Sequence, residues 1–158
     1  MNNNDTINHN NVINNNLDTS NPTPRNQVVL LLDTSSSMDS EPIKELNADL
    51  RQFIQKTADN ETISRSIELE VITFNSHADV IMAFAPICNM DRDPAPLIAQ
   101  APIAMGDAMR MTLKDLKAQR KLYRDNEISS YRPWVILMTD KKAVRQTLFG
   151  QLRLTLHP

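Results

Sequence analysis

The stretch Val28-Val29-Leu30-Leu31-Leu32-Asp33-Thr34-Ser35-Ser36-Ser37-Met38 (VVLLLDTSSSM) decides how the rest of the chain is read. Five consecutive apolar side chains cannot alternate between a wet and a dry face, so Gln27–Leu32 reads as a strand covered on both sides. The run then ends abruptly on an acid and a cluster of hydroxyls. Directly after it, Ile43, Leu46, Leu50, Phe53 and Ile54 recur at helical spacing over about Ser40–Lys56. Pro42 falls in the first turn, where a missing N–H is harmless, and Asp39 or Ser40 is placed to cap it.

The pattern repeats outward. Leu69–Phe74 (LEVITF) and about Asp79–Phe84 (DVIMAF) read as strands joined by a short polar hairpin, Asn75-Ser76-His77-Ala78. Ala85–Pro102 is a proline-rich loop. A second amphipathic helix starts near Gly106, with Met109, Leu113, Leu116 and Tyr123 on one side, and Arg124–Arg132 is a polar linker. Trp134–Met138 (WVILM) is another buried run, and it ends in Thr139-Asp140. Strands alternating with helices predict an α/β sheet, largely parallel, with one antiparallel hairpin and flanking helices. Residues 1–26 are dominated by asparagine and are expected to be a disordered leader. Residues 27–140 form the domain, and 141–158 are an atypical tail in which Arg153–His157 alternates weakly enough for a short strand at most.

Composition narrows the function classes. The 158 residues are 41% hydrophobic and 23% charged, enough for one ordinary core. A net charge of −2 argues against a sequence-independent nucleic-acid binder, which is usually strongly basic. The single cysteine, Cys88, allows no internal disulfide and suits a reducing compartment. No apolar run reaches the ~20 residues of a membrane span, no secretory signal is visible, and the expected location is cytoplasmic. Two glycines, Gly106 and Gly150, leave tight loops to other residues.

Ligands of open α/β sheets bind beyond the carboxyl ends of the strands. Two buried runs here end in an acid, Asp33 and Asp140, and Asp33, Ser35 and Ser37 alternate along one loop. Such oxygens are hard ligands, suited to Mg²⁺, Mn²⁺ or Ca²⁺ rather than zinc. The competing use of the serines is to cap the following helix; the placement between a buried strand and an amphipathic helix favours the cation. The other candidates are weaker. His9, His77 and His157 are scattered, Cys88 has no histidine partner in its pattern, and the serine cluster lacks a glycine-flanked nucleophile elbow and a base. The basic LKDLKAQRKLYR stretch reads as a solvated helix face, and Met38, Met105, Met109 and Met111 as core.

VVLLLDTSSSM resembles the metal-ion-dependent adhesion site of von Willebrand factor type A domains, whose signature is Asp-x-Ser-x-Ser after the first strand. LEVITFNSHADV, AMGDAM and YRPWVILMTD are similar to later stretches of that family, in order, over Gln27–Asp140. The Tyr-Arg-Pro-Trp lead is most similar to the bacterial TerY-like, tellurium-resistance-associated branch. The resemblance implies a Rossmann-like fold and a non-enzymatic protein-interaction module. In it Ser35 and Ser37 ligate a divalent cation, and Asp33 and Asp140 act close by, through water or hydrogen bonds. An acidic side chain of a partner protein completes the shell, and the context is a cytoplasmic stress response.

Two departures stand out. The family usually carries Gly-Gly-Thr before the second helix, its Thr being a ligand; here Ala101-Pro102-Ile103 stands in that place, so Ile103 offers no oxygen and the loop is stiffer. Asp107 reads as a solvent-facing acid of the helix start. After Asp140 comes Lys141-Lys142 and the motif resemblance stops, as expected of a domain incomplete at its C-terminus. A metal-free scaffold and, more remotely, a metal-assisted hydrolase are the other readings of the same residues.

Overall fold

The computed structural model describes residues 17–103 and 105–140. Strand β1 (Asn26–Asp33) leads through a 3₁₀ turn (Ser36–Met38) into α1 (Glu41–Ala58) and a four-residue helix, α2 (Glu61–Ser64). Strands β2 (Ile67–Phe74) and β3 (Ala78–Pro86) follow, then a second 3₁₀ turn (Ile87–Asn89), α3 (Met105–Asp125) and β4 (Trp134–Met138). The sheet order is β3-β2-β1-β4, with β1 parallel to both neighbours and β2–β3 the antiparallel pair. This is the expected mixed sheet, hairpin included. From β1 the chain crosses one way to β2 and later returns on the other side as β4, so the strand order reverses beside β1.

The apolar run of β1 serves both faces. Val28, Leu30 and Leu32 pack with Leu69, Val71 and the Ile43, Leu46, Leu50 and Ile54 stripe of α1. Val29 and Leu31 pack with Ile72, Phe74, Val135, Leu137 and the α3 residues Ala108 and Leu116. The period-two alternation of the strand thus meets one helix on each side. No helix among the described residues is long and apolar enough to cross a membrane.

The helix ends show how a chain with so few glycines turns. Ser40 is the residue before α1, at φ 72, and its side chain makes no cap bond; its backbone N–H instead donates to Asp39 Oδ1 at 2.8 Å. Asn60 caps α2, its Oδ1 accepting from the N–H groups of Thr62 and Ile63 at 3.1 Å each. Past α3, Glu127 takes φ 56, with Ile128 N–H donating to Tyr123 O and Glu127 N–H to Arg124 O. That is the Schellman pattern, with a glutamate where glycine is usual.

The half of the sheet farthest from the strand ends Asp33 and Met138 is polar inside. Glu68 is buried between Arg25 (Nε at 3.1 Å), Gln119 (Nε2 at 2.8 Å) and the Tyr123 hydroxyl at 2.5 Å. Burial and the Glu68 carboxylate push the Tyr123 phenol up. The Arg25 guanidinium also donates to the carbonyls of Asp18, Asn21 and Thr23. Within the stretch expected as a leader, residues 1–16 lie outside the described residues, and Asp18–Arg25 is held by these bonds. The possible strand at Arg153–His157 lies outside them as well.

Two residues along β2, on the same α3-facing side, Glu70 is also buried, and its Oε2 has no hydrogen-bond partner among the described residues. Burial, with the Asp115 carboxylate of α3 added, pushes its pKa up to about 9. The folded protein therefore keeps the Glu70 proton where the unfolded chain ionises from its ordinary value of 4.5. Glu70's contribution to the parent's stability is fully present below pH 4.5 and is lost as pH rises toward 9. Glu70→Gln keeps the shape without the proton, so its stability advantage over the parent is expected to widen through that window, by up to about 1.4 kcal/mol per pH unit. Urea melts of both proteins at pH 5, 7 and 8.5 measure this; a constant difference would show that Glu70 titrates normally.

Candidate functional site

The parallel pairing of β1 with β4 runs to Leu32↔Met138, which sets Asp33 alongside Thr139. Asp33 is fully buried and both carboxylate oxygens are engaged. Oδ1 accepts from Ser35 N–H at 2.8 Å, and Oδ2 accepts from Thr139 Oγ1 at 2.5 Å. The acid thus fixes the turn that follows it and ties that turn to the end of β4. Ser35, itself buried, lies with its Oγ 3.0 Å from Ser37 Oγ, and Ser37 Oγ donates to Asp140 Oδ1 at 3.1 Å. All four residues named from the sequence, Asp33, Ser35, Ser37 and Asp140, share one continuous network. Its floor is buried, while Ser37 and Asp140 are exposed at its mouth.

The loop ahead of α3 closes over the same turn. Ser36 N–H donates to Ala101 O, and Gln100 N–H donates to Thr34 O, both at 2.8 Å. Ala101 holds this contact in the left-handed region, at φ 62, where a side chain is strained and glycine is not. Ile103, half-buried, turns into the apolar cluster between the sheet and α3. Asp107 is exposed in the first turn of α3 and pairs with Arg110. Met38 belongs to the α1-side core, whereas Met105, Met109 and Met111 pack against the α3-side core, so the methionines do not gather at the site.

Among the described residues no three His, Cys, Asp or Glu side chains converge as a metal cluster. Any ion held here depends on the serine hydroxyls. His77 is occupied in the β2–β3 turn by Asp79 at 3.0 Å and Ser76 at 3.1 Å, and Cys88 is free and exposed. His9 and His157 lie outside the described residues. The participant that sequence reasoning passed over is Thr139, whose hydroxyl orients Asp33. The signal was available in the Thr139-Asp140 pair, once β4 is placed next to β1.

The von Willebrand factor type A domain model matches residues 27–153. The chain belongs to this family. The matched span runs past Asp140, where the motif resemblance stops. Comparison with curated proteins finds no match. Among solved structures, the pilus adhesin SpaC of Lactobacillus rhamnosus GG, in an open conformation, aligns at 16% identity and TM-score 0.60, covering 75% of this chain and 15% of its own. The PilB minor pilin of Streptococcus sanguinis aligns at 18% identity and TM-score 0.59, covering 74% of this chain and 30% of its own. The type V pili tip protein Mfa5 of Porphyromonas gingivalis, as its three N-terminal domains, aligns at 16% identity and TM-score 0.52, over 75% of this chain and 20% of its own. At such identities the likeness is one of fold, and this chain spans less than a third of each of these structures.

The left-handed Ala101 gives a direct test of loop strain. Ala101→Gly is expected to raise stability by about 1 kcal/mol, since the strain relieved exceeds the chain entropy that glycine adds. Thermal unfolding checks it, and a lowered midpoint would place Ala101 outside the left-handed region in solution.

Proposed function

We propose that this von Willebrand factor type A domain is a non-enzymatic interaction module, in which a divalent cation at Ser35, Ser37 and Asp140 receives an acidic side chain from a partner protein. The observation that carries this reading is the spacing of the three oxygens, 3.0 Å from Ser35 Oγ to Ser37 Oγ and 3.1 Å from Ser37 Oγ to Asp140 Oδ1. Two neighbouring oxygens of an octahedron drawn at ~2.1 Å around Mg²⁺ lie about 3.0 Å apart. The donor set is hard and sparse, which suits Mg²⁺, with Mn²⁺ or Ca²⁺ as substitutes. Asp33 would orient Ser35 and, with Thr139, keep the turn in place rather than bind directly. A bound cation would supply the positive charge at the mouth, where contact with a partner excludes water and strengthens attraction to a carboxylate.

A bacterial stress or tellurium-resistance setting of the TerY-like kind rests on the Tyr131-Arg132-Pro133-Trp134 lead into β4. A cytoplasmic location rests on the lone, exposed Cys88. The non-enzymatic assignment rests on the serine cluster having no histidine base among the described residues: His77 is committed to Asp79 and Ser76 in the hairpin turn. One observation favours a second reading, a metal-free scaffold: Ile103 puts a hydrocarbon side chain into the apolar cluster where the family carries an oxygen ligand.

Calorimetric titration with Mg²⁺ and Mn²⁺ separates the two. The parent is expected to bind, Ser37→Ala to bind at least tenfold more weakly through loss of one ligand's share of ~1.4 kcal/mol, and Ile103→Thr to bind more tightly. A silent parent beside a binding Ile103→Thr variant would establish the metal-free reading instead.

A further inference from the structure

A groove of about 640 Å³ begins beside the candidate site, at Thr34, and runs down the α1-facing side of β3. Its upper end is formed by Thr34 and Gln100, whose backbones are bonded to each other; Thr34 lies between Asp33 and Ser35, so groove and oxygen cluster share one turn. One wall is β3, and the other is the proline-rich segment that returns from Met90 to Gln100. Ile81 on the strand and Ile98 on the loop line it while 41% and 73% exposed, a large apolar area for a surface that no element among the described residues covers. The charged side chains in its lining are both acids, Asp79 near the site and Asp91 toward the far end, with no lysine or arginine among the lining residues.

We infer that this groove seats an extended segment of the partner protein: its carboxylate docks at the Ser35–Ser37–Asp140 mouth, its apolar side chains lie between Ile81 and Ile98, and a lysine or arginine follows toward Asp91. The inference rests on the carboxylate-docking reading above and adds the partner's conformation and charge order. Three features select this occupant. The groove's upper end and the mouth flank one turn, about two strand spacings (~10 Å) apart, within reach of one extended segment. The strand from Asp79 to Ala85 offers a track of about 20 Å at ~3.3 Å per residue, the reach of six or seven extended residues. An acidic groove beside a site that takes an acid repels a uniformly acidic partner, so the segment must change sign along its length. Extended peptides are commonly read this way, by a track for the backbone and pockets for alternate side chains.

The test is selection of displayed random dodecapeptides on the full chain with Mg²⁺ present, followed by affinity measurement of a synthesised winner. The expected winners carry Asp or Glu, then apolar residues, then Lys or Arg within about ten positions, as the ~20 Å track and the two strand spacings from β1 to β3 together require. Ile81→Lys is expected to weaken the winner between tenfold and a hundredfold, the worth of one buried isoleucine. Asp91→Lys should weaken it as well, and Ser37→Ala or chelation of Mg²⁺ should abolish it. Both groove positions are exposed, and thermal melts verify that the variants fold. Winners that need Ser37 and Mg²⁺ but ignore Ile81→Lys and Asp91→Lys overturn the groove and leave carboxylate docking intact. Winners that need the groove yet ignore Ser37 and Mg²⁺ overturn the docking reading and the charge order built on it. Failure to enrich any peptide overturns the groove as an extended-segment site.

Discussion

The parallel pairing of β1 with β4 is the constraint on which the rest of the structure depends. Only that register sets Asp33 next to Thr139, and only there can one carboxylate fix both the Thr34–Ser37 turn and the end of β4. β1 can occupy the middle of the sheet because its five apolar residues are divided between two helices. A polar residue at any of these five positions would bury an unmatched group against α1 or α3, at a cost of some ~1–3 kcal/mol. The site is therefore a by-product of hydrophobic registry: the core decides where the strand ends, and the strand ends decide which oxygens meet.

The opposite end of the sheet is held by different means. Arg25 and Glu68 are both almost fully buried, and the ion pair is extended by Gln119 and Tyr123. Removing one member of such a pair leaves an uncompensated interior charge, typically a loss of 3–5 kcal/mol, although the intact pair is no guarantee of net stabilisation. Its clearer effect is specificity of placement. Arg25 can be satisfied only where the carbonyls of Asp18, Asn21 and Thr23 converge, so the pair fixes how the chain enters β1.

Much of this was legible in the sequence, because the strands and both long helices announce themselves by period. The Ile43-Leu46-Leu50-Ile54 stripe and the run Val28–Leu32 admit few other readings, and the two strand-end acids pointed to the site. What escaped had physical reasons. Glu70 lies within the expected strand Leu69–Phe74 and Glu68 just before it, and their burial depends on α3, and for Glu68 on Arg25 43 positions away. Helix α2 is four residues long and is visible only through the Asn60 cap. Ser40, Ala101 and Glu127 take positive φ without being glycine, and nothing in a residue's name records that its neighbours force it there. Thr139 became a participant only through pairing across the sheet.

Trp134, at the start of β4 on one border of the sheet, is the chain's single tryptophan and is 40% exposed. The groove lies along β3, at the other border, about 14 Å away across three strand spacings. The molecule thus carries one tryptophan, which can be excited apart from Tyr123 and Tyr131, at the β4 border of the described sheet and remote from the groove. A blue-shifted emission reports that another surface has settled along β4. A ligand confined to the groove leaves the spectrum unmoved, so the two borders of the sheet are optically distinguishable without any label.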